Sequence, residues 1–316
     1  MSTRTGRAVR FDRYGDVDEL YVTDVEVEDP PPGRVLVEVG AAGINPGEAF
    51  IRSGALAEVF PTTFPSGEGS DWAGTVVAVG DGVTGLEPGD DVFGWTDERA
   101  SHATYVTVPA EQVLPRPAGL DVATAGALYV AGMAAVGSVE AVDPQPGETV
   151  VVSGAAGGVG QIAVQLLAAR GAEVVGIASE PHHARLRAMG VTPAAYGADA
   201  AETGANVRAA APEHIDAWVD LYGGGYVAIA RELGVPAARI NTIADFDAVS
   251  EYGVNGDGTA AAASRENMAE LGELVADGVV EIPIAAGYPL DDVRDAYTEL
   301  EKRHTAGKIV LLPQGR

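Results

Sequence analysis

The sequence predicts a two-part α/β protein, a partly open β-barrel followed by a doubly wound parallel sheet. Three observations carry that prediction. Short β-prone runs parted by turn clusters fill roughly the first 120 residues. From about Ala123, Ala-rich helical segments alternate with short apolar strands. Around residues 150–169 a run of valines passes through a glycine-rich turn straight into an uncharged helix.

The front half reads as strands at 8–11, 35–39, 74–79, 91–94 and 104–108. The turn clusters between them include Asp29-Pro30-Pro31-Pro32-Gly33, Gly80-Asp81-Gly82 and Glu87-Pro88-Gly89-Asp90. Short strands at that spacing suit a compact, partly open barrel. In the back half, strands are expected at 149–153, 173–178, 217–221 and 239–243, with helices between them. That alternation is the pattern of a parallel sheet with crossovers. Two amphipathic helices follow near 266–276 and 291–302, and a strand at 308–312 closes the chain. No internal repeat or long linker interrupts this order.

Composition narrows the function classes. In 316 residues, 47% are hydrophobic and 21% charged, as in ordinary globular proteins. There is no cysteine, which removes disulfides, thiolate nucleophiles and Cys-ligated zinc together. The 46 acidic and 20 basic residues give a formal charge of −26. A field of that sign repels nucleic-acid phosphate and anionic membranes, and its ordinary origin is a surface tuned for solubility or high salt. The N-terminus lacks a signal-peptide core. Uncharged stretches at 122–139 and 149–169 are rich in Ala, Gly and Val, and read as buried elements rather than membrane spans. A cytoplasmic location is expected.

The sharpest motif is Val150-Val151-Val152-Ser153-Gly154-Ala155-Ala156-Gly157-Gly158-Val159-Gly160. Gly154, Gly157 and Gly160 follow a predicted strand and open a predicted helix, the context that a dinucleotide fingerprint of the Rossmann type demands. Glycines let the backbone approach a pyrophosphate, and the amides of Gly157, Gly158 and Val159 are expected to face it. The positive end of the helix adds to the attraction. The next strand then decides the cofactor. NAD enzymes end it with an acid on the ribose, whereas NADP enzymes supply cations for the 2′-phosphate. Here Ser179 follows the strand, then Glu180, His182, His183, Arg185 and Arg187. Ser179 and Arg185 favour NADPH. A register shifted by two would instead put Glu180 on the ribose and favour NADH, and the cations also suit an exposed helix face. Leu221, within Asp220-Leu221-Tyr222-Gly223-Gly224-Gly225, and Ile243, within Thr242-Ile243-Ala244, lie at later strand ends where a ribose could pass. Plain turns fit both segments equally well.

Further motifs span nearly the whole chain: Ala42-Gly43-Ile44-Asn45-Pro46 with Ile51-Arg52-Ser53-Gly54, and Gly69-Ser70-Asp71-Trp72-Ala73-Gly74-Thr75-Val76. They continue with Val79-Gly80, Pro88-Gly89-Asp90, Val92-Phe93-Gly94, the glycine turn, and Gly307-Lys308-Ile309-Val310-Leu311. In their order and spacing the chain resembles the zinc-independent quinone oxidoreductase (zeta-crystallin-like) branch of the medium-chain dehydrogenase/reductase superfamily.

The resemblance implies a GroES-like catalytic domain at 1–126, a Rossmann NADP-binding domain at 127–258 and a return to the catalytic domain at 259–316. It also implies a cofactor in the cleft with its nicotinamide facing Asn45, Lys308 near the cofactor, and a homodimer. Zinc-dependent relatives need a cysteine near Ile44-Asn45, a His-Glu pair near Gly67-Glu68 and a four-cysteine lobe. This chain matches none of these, so no metal site is expected. Glu68 alone makes none, and His102, His182, His183, His214 and His304 lack paired ligand spacing. Glu48, Phe50 and Ala134 stand where relatives often carry Asp, an aromatic hydroxyl and Thr.

The implied reaction is hydride transfer from NADPH to a quinone or to the β-carbon of an enone. Such acceptors need positioning and modest carbonyl polarisation, not a metal. Asn45 would orient the nicotinamide, or serve only as a turn residue before Pro46. Phe50 and Trp95 either wall the pocket or pack the core, and Tyr129 is the nearest candidate proton donor. For Lys308 the alternative is a surface salt bridge. Competing readings are a 2-alkenal or haloacrylate-type double-bond reductase and a non-catalytic NADPH-binding protein. The partner in the first two is a small molecule, with neither nucleic acid nor membrane involved.

Overall fold

A computed structural model describes residues 4–211, 213–302 and 305–315. The chain forms two compact units. One comprises Met1–Val130, Met268–Ala276 and Pro283–Arg316, and the other Ala131–Asn267 and Asp277–Ile282.

The strands of the first unit are β1 (Arg4–Arg10), β2 (Tyr21–Val27), β3 (Arg34–Gly43), β4 (Asp71–Val79), β5 (Asp91–Trp95), β6 (Tyr105–Pro109) and β7 (Val113–Pro115). Those of the second unit are β8 (Thr149–Ser153), β9 (Glu173–Ile177), β10 (Thr192–Ala194), β11 (Ala217–Asp220) and β12 (Ile240–Thr242). The chain then returns to the first unit with β13 (Ile284–Pro289) and β14 (Lys308–Leu312).

In the first unit β1 and β2 pair antiparallel, and a seven-stranded sheet runs β13-β14-β3-β4-β5-β7 with β6 also on β3. Among the described residues no pairing joins the outer strands β7 and β13, so the sheet stays open. Its core is read directly from valine alternation. Val35, Val37 and Val39 of β3 meet Trp72, Val76, Val92, Val106 and Val108. A second cluster sets Leu290, Val293 and Tyr297 against Val9, Phe11, Ile44 and Leu311. Thus the final 30 or so residues complete the core begun by the first 50.

The second unit carries a five-stranded parallel sheet in the order β10-β9-β8-β11-β12. Strand order reverses direction between β8 and β11, which makes that gap the switch point of a doubly wound sheet. Val151, Val175, Ile177, Trp218 and Ile240 share one core with Val207, Val227, Ile229 and Ala248 from the following helices. Val150 and Val152 are equally buried and point to the other face, as alternation requires. The helix Gly158–Ala169 packs on β8 and β9.

Four strands, β2, the three-residue β7, β10 and β13, stand where the sequence reading placed none. In β2 only Val27 is buried, so no continuous apolar face announces it. The three-residue β10 contains Pro193 and survives because it is an edge strand, where a missing N–H is harmless. Short β13 is likewise an edge. The strands expected to end at 178 and 221 end one residue earlier, and β12 is a residue shorter at each end than expected. The two late helices appear as Arg265–Ala276 and Val293–Glu301, the second entered through a single turn at Leu290–Asp292. Among the described residues no helix is long and apolar enough to cross a membrane.

Candidate active site

In the second unit β8 ends at Ser153 and the chain turns at Gly154, whose φ of 72° suits glycine. The helix begins at Gly158, capped by Gly157. A Cβ on Gly160 would lie 2.1 Å from the Gly154 carbonyl oxygen, so no side chain fits there. One expectation needs correction. The Gly157 amide does not face outward; it donates to the Gly154 carbonyl at 3.0 Å and closes the turn. Gly158 and Val159, the first two helical positions, have N–H groups with no carbonyl to reach within the helix. Of the three amides expected to face a pyrophosphate, only that of Gly157 is taken up by the turn itself.

Beyond β9, Ser179 caps a single turn, Glu180–His182, and Glu180 is exposed. The helix His183–Ala188 then begins. The His183 ring nitrogen Nε2 lies 3.0 Å from the Ala178 carbonyl oxygen, so this ring is engaged locally. Arg185 donates from Nε to Gln161 Oε1 at 2.5 Å, and Gln161 in turn donates to the Ala156 carbonyl. Arg185 is thereby tethered to the helix that opens at the glycine turn. Arg187 is exposed. Leu221 donates its amide to the Ser153 carbonyl at 3.3 Å, and Ile243 donates to the Asp220 carbonyl at 3.1 Å. Both residues are half-buried at the carboxyl edge of the sheet.

In the first unit, Asn45 precedes the helix Pro46–Ser53, whose first position suits proline. The Asn45 amide N–H donates to Glu48 Oε2 at 2.8 Å, half of a capping arrangement whose Asn-x-x-Glu spacing is visible in the sequence. The Asn45 side chain is gripped at both ends. Lys308 Nζ donates to Asn45 Oδ1 and to the Ile44 carbonyl, the latter at 3.1 Å. Asn45 Nδ2 donates to Asp71 Oδ2 at 2.5 Å and to Glu48 Oε1 at 3.3 Å. Asp71 also accepts from the Val130 amide at 2.8 Å, and Tyr297 donates its hydroxyl to Glu48 Oε2 at 2.6 Å. These partners fix the amide's orientation and engage both of its hydrogens.

The cluster is buried, and burial shifts the protonation of its members. Burial pushes the Asp71 carboxyl up, chiefly against the pull of Lys308. Burial pulls the Lys308 ammonium down, against the stabilising charges of Asp71 and Glu48. With Lys308 only 5% exposed, the surface salt bridge considered from the sequence is overturned. Beside this cluster, Arg52 pairs with Glu68 at 2.7 Å and lies over the Tyr297 ring, 4.6 Å from its centroid. Burial drives the Glu68 carboxyl up to about 7 even though Arg52 opposes it. Glu68 Oε2 has no hydrogen-bond partner.

The remaining expected residues separate cleanly. Phe50 is 43% exposed, which rules out core packing, and Val59 and Phe60 are exposed as well. Trp95 and Tyr129 are buried and stacked, with centroids 5.0 Å apart and an interplanar angle of 8°. Burial, with Asp97 and Asp71 nearby, raises the Tyr129 phenol well above its ordinary value. Its proton is therefore harder to remove. His102 is buried, with Nε2 3.1 Å from the Gly43 carbonyl oxygen, and His214 pairs with Asp216 at 3.1 Å. His304 lies outside the described residues, among which no three His, Cys, Asp or Glu side chains are grouped to hold a metal.

Comparison with known proteins agrees with this architecture. Residues 31–118 match the alcohol dehydrogenase GroES-like domain family and residues 192–311 match the zinc-binding dehydrogenase family. The quinone oxidoreductase of Pseudomonas aeruginosa is 28% identical over 336 aligned positions, covering 97% of this chain and 99% of that protein. The chain belongs to the medium-chain dehydrogenase/reductase superfamily. Its relatives place it on the quinone oxidoreductase, zeta-crystallin-like branch. The Rattus norvegicus quinone oxidoreductase is 34% identical over 182 residues, 57% of this chain and 55% of that protein. The chain thus spans about half the length of several curated relatives that it matches. Among solved structures, the Coxiella burnetii quinone oxidoreductase has a TM-score of 0.87 at 26% identity, covering 98% of this chain and 99% of that one. The Escherichia coli quinone oxidoreductase complexed with NADPH has a TM-score of 0.82 at 23% identity, covering 97% and 100%.

In this superfamily member, the structure joins Asn45 and Lys308 directly, while Phe50 and the Trp95–Tyr129 pair stand outside their hydrogen-bond network. Asp71, Tyr297 and the part played by Glu48 were missed by the sequence reading. The Asn-x-x-Glu spacing could have flagged Glu48. Nothing local could have flagged Tyr297, which reaches Glu48 from 249 residues away.

Proposed function

We propose that the chain is a zinc-independent, NADPH-dependent oxidoreductase whose acceptor is a quinone or another activated carbonyl or enone. The observation that carries the reading is the β8 turn, where Gly160 leaves no room for a Cβ and Gly158 and Val159 open a helix with free amides. That cradle fits a diphosphate. The absence of any cysteine from the sequence supports chemistry without the family's thiolate zinc ligands. The neighbouring Escherichia coli structure, which contains NADPH, is consistent with the choice of cofactor.

On this reading the amides of Gly158 and Val159, with Gly154, Gly157 and Gly160 shaping the turn, hold the diphosphate. Ser179 and Arg185 take the 2′-phosphate, and the tether from Arg185 to Gln161 pre-orients that cation. Leu221 and Ile243 flank the ribose. Asn45 orients the nicotinamide as an acceptor only, because both amide hydrogens are spent on Asp71 and Glu48. Lys308 acts through Asn45 rather than on the cofactor directly. Exposed Phe50 offers apolar surface to the acceptor, and the Tyr129 hydroxyl offers a hydrogen bond to its oxygen rather than a readily released proton. When bound, the nicotinamide supplies the hydride. The protein's share is orientation and polarisation of the acceptor.

A homodimer in the cytoplasm, with a small molecule as its only other partner, completes the proposal; sedimentation gives the oligomeric state. The reaction is tested by incubating the protein with NADPH or NADH and a panel of quinones and enones, following loss of reduced cofactor. Mass analysis of products separates quinone reduction from carbon–carbon double-bond reduction. No turnover on any acceptor, with dinucleotide bound, leaves only a non-catalytic NADPH-binding role.

A further inference from the structure

Asp220 is the last residue of β11 and is wholly buried, yet it carries four hydrogen bonds to its carboxylate. Oδ1 accepts from the Ser153 hydroxyl at 2.6 Å and from the amides of Tyr222 and Gly223, each at 3.1 Å. Oδ2 accepts from the Thr242 hydroxyl at 2.8 Å. Ser153, Asp220 and Thr242 are in register on three adjacent parallel strands, so these bonds form one rung across β8, β11 and β12. The rung spans the switch point of the sheet, the gap where strand order reverses.

Each member of the rung is followed at once by a turn. After Ser153 comes Gly154, and a Cβ there would sit 3.4 Å from Tyr222 Cβ and 3.5 Å from Leu221. After Asp220 come Leu221 and Tyr222, then Gly223, Gly224 and Gly225, all with positive φ, at 78°, 69° and 87°. After Thr242 comes a turn in which its Oγ1 accepts the amides of Ala244 at 3.2 Å and Asp245 at 3.1 Å. Three successive glycines have no side chains with which to hold themselves and lose the most freedom on ordering. The start of the turn is held by the Asp220 carboxylate, through the amides of Tyr222 and Gly223.

We propose that Asp220 is a positioning residue for the nicotinamide half of the dinucleotide. Its carboxylate holds the Gly154, 221–225 and 243–245 turns at one height around the switch point. The adenosine half lies toward β9, which this rung does not reach. This rests on the dinucleotide reading above and adds a residue that touches no ligand itself.

The test is calorimetry on the full chain with two probes, NADPH and adenosine 2′,5′-bisphosphate, which reports only the adenosine half. Asp220→Asn keeps the shape but cannot accept on both sides, so NADPH should bind about tenfold or more weakly. Adenosine 2′,5′-bisphosphate should stay within about twofold, a contrast that general loosening of the fold would not produce. Ser153→Ala, which removes one hydroxyl from the rung, should give a smaller loss with the same selectivity. It decides the matter alone if Asp220→Asn fails to fold. Equal weakening of both probes, or none, overturns the positioning role. If the unsubstituted protein binds neither probe, it is the dinucleotide reading that falls.

Discussion

Arg52 donates to Glu68 across 2.7 Å with both side chains withdrawn from solvent, yet the carboxylate keeps one oxygen without a partner. Desolvation outweighs the ion pair, which is why Glu68 is driven up to about 7. The folded chain therefore binds more protons at this site than the unfolded chain between about pH 4.5 and 7. Its contribution to stability is full below that window, declines as pH rises through it, and is level above. Thermal unfolding across pH at constant ionic strength should show this decline in the parent protein. Glu68→Gln should flatten it, whatever the offset between the two curves. Parallel slopes for parent and variant would refute the assignment.

Lys308 neutralises a buried cluster that holds two carboxylates and a polarised amide. Lys308→Met keeps the volume, removes the charge and strands Asp71 beside Asn45. A loss of about 3 kcal/mol in chemical denaturation is expected, as for one member of a buried pair removed. Loss under 1 kcal/mol on that measurement would show that water or a neighbour replaces the ammonium without difficulty.

Gly160→Ala and Gly157→Ala make a matched pair. At Gly160 the new methyl falls 2.1 Å from the Gly154 oxygen, and at Gly157 it falls 3.3 Å from the same atom. The first should abolish measurable NADPH binding in calorimetry, and the second should weaken it only mildly. Equal behaviour would mean that the tight turn does not shape the anion site.

The formal charge of −26 opposes compactness through self-repulsion. Raising KCl from about 0.05 to 1 M shortens the screening length to about 3 Å, so the melting temperature should climb. The pH slope assigned to Glu68 should persist in high salt, because a buried pair is screened far less than the surface. A melting temperature that falls with KCl would count against surface repulsion as the main electrostatic load.

Much of the second unit was legible because its signals are local. An unbroken run of valines marks β8, and the glycines at 154, 157 and 160 mark a turn whatever surrounds them. The displaced amide at Gly157 was not legible, because one N–H had to choose between the Gly154 carbonyl and a ligand, and only the closed turn reveals that choice. Expected strand ends missed by a residue for a similar reason: pairing with neighbours, not propensity, terminates a strand.

By itself the sequence determined the alternation of strands and helices, the glycine turn that follows β8, the lack of cysteine ligands and the excess of acidic residues. Each depends on residue type or on short-range spacing. Only the tertiary structure decided that Lys308, Asn45 and Asp71 meet, that Tyr297 closes on Glu48, and that Ser153, Asp220 and Thr242 align. Those contacts join residues that are distant along the chain, and burial gives them their energy. Proximity and desolvation arise only when the strands and helices have packed.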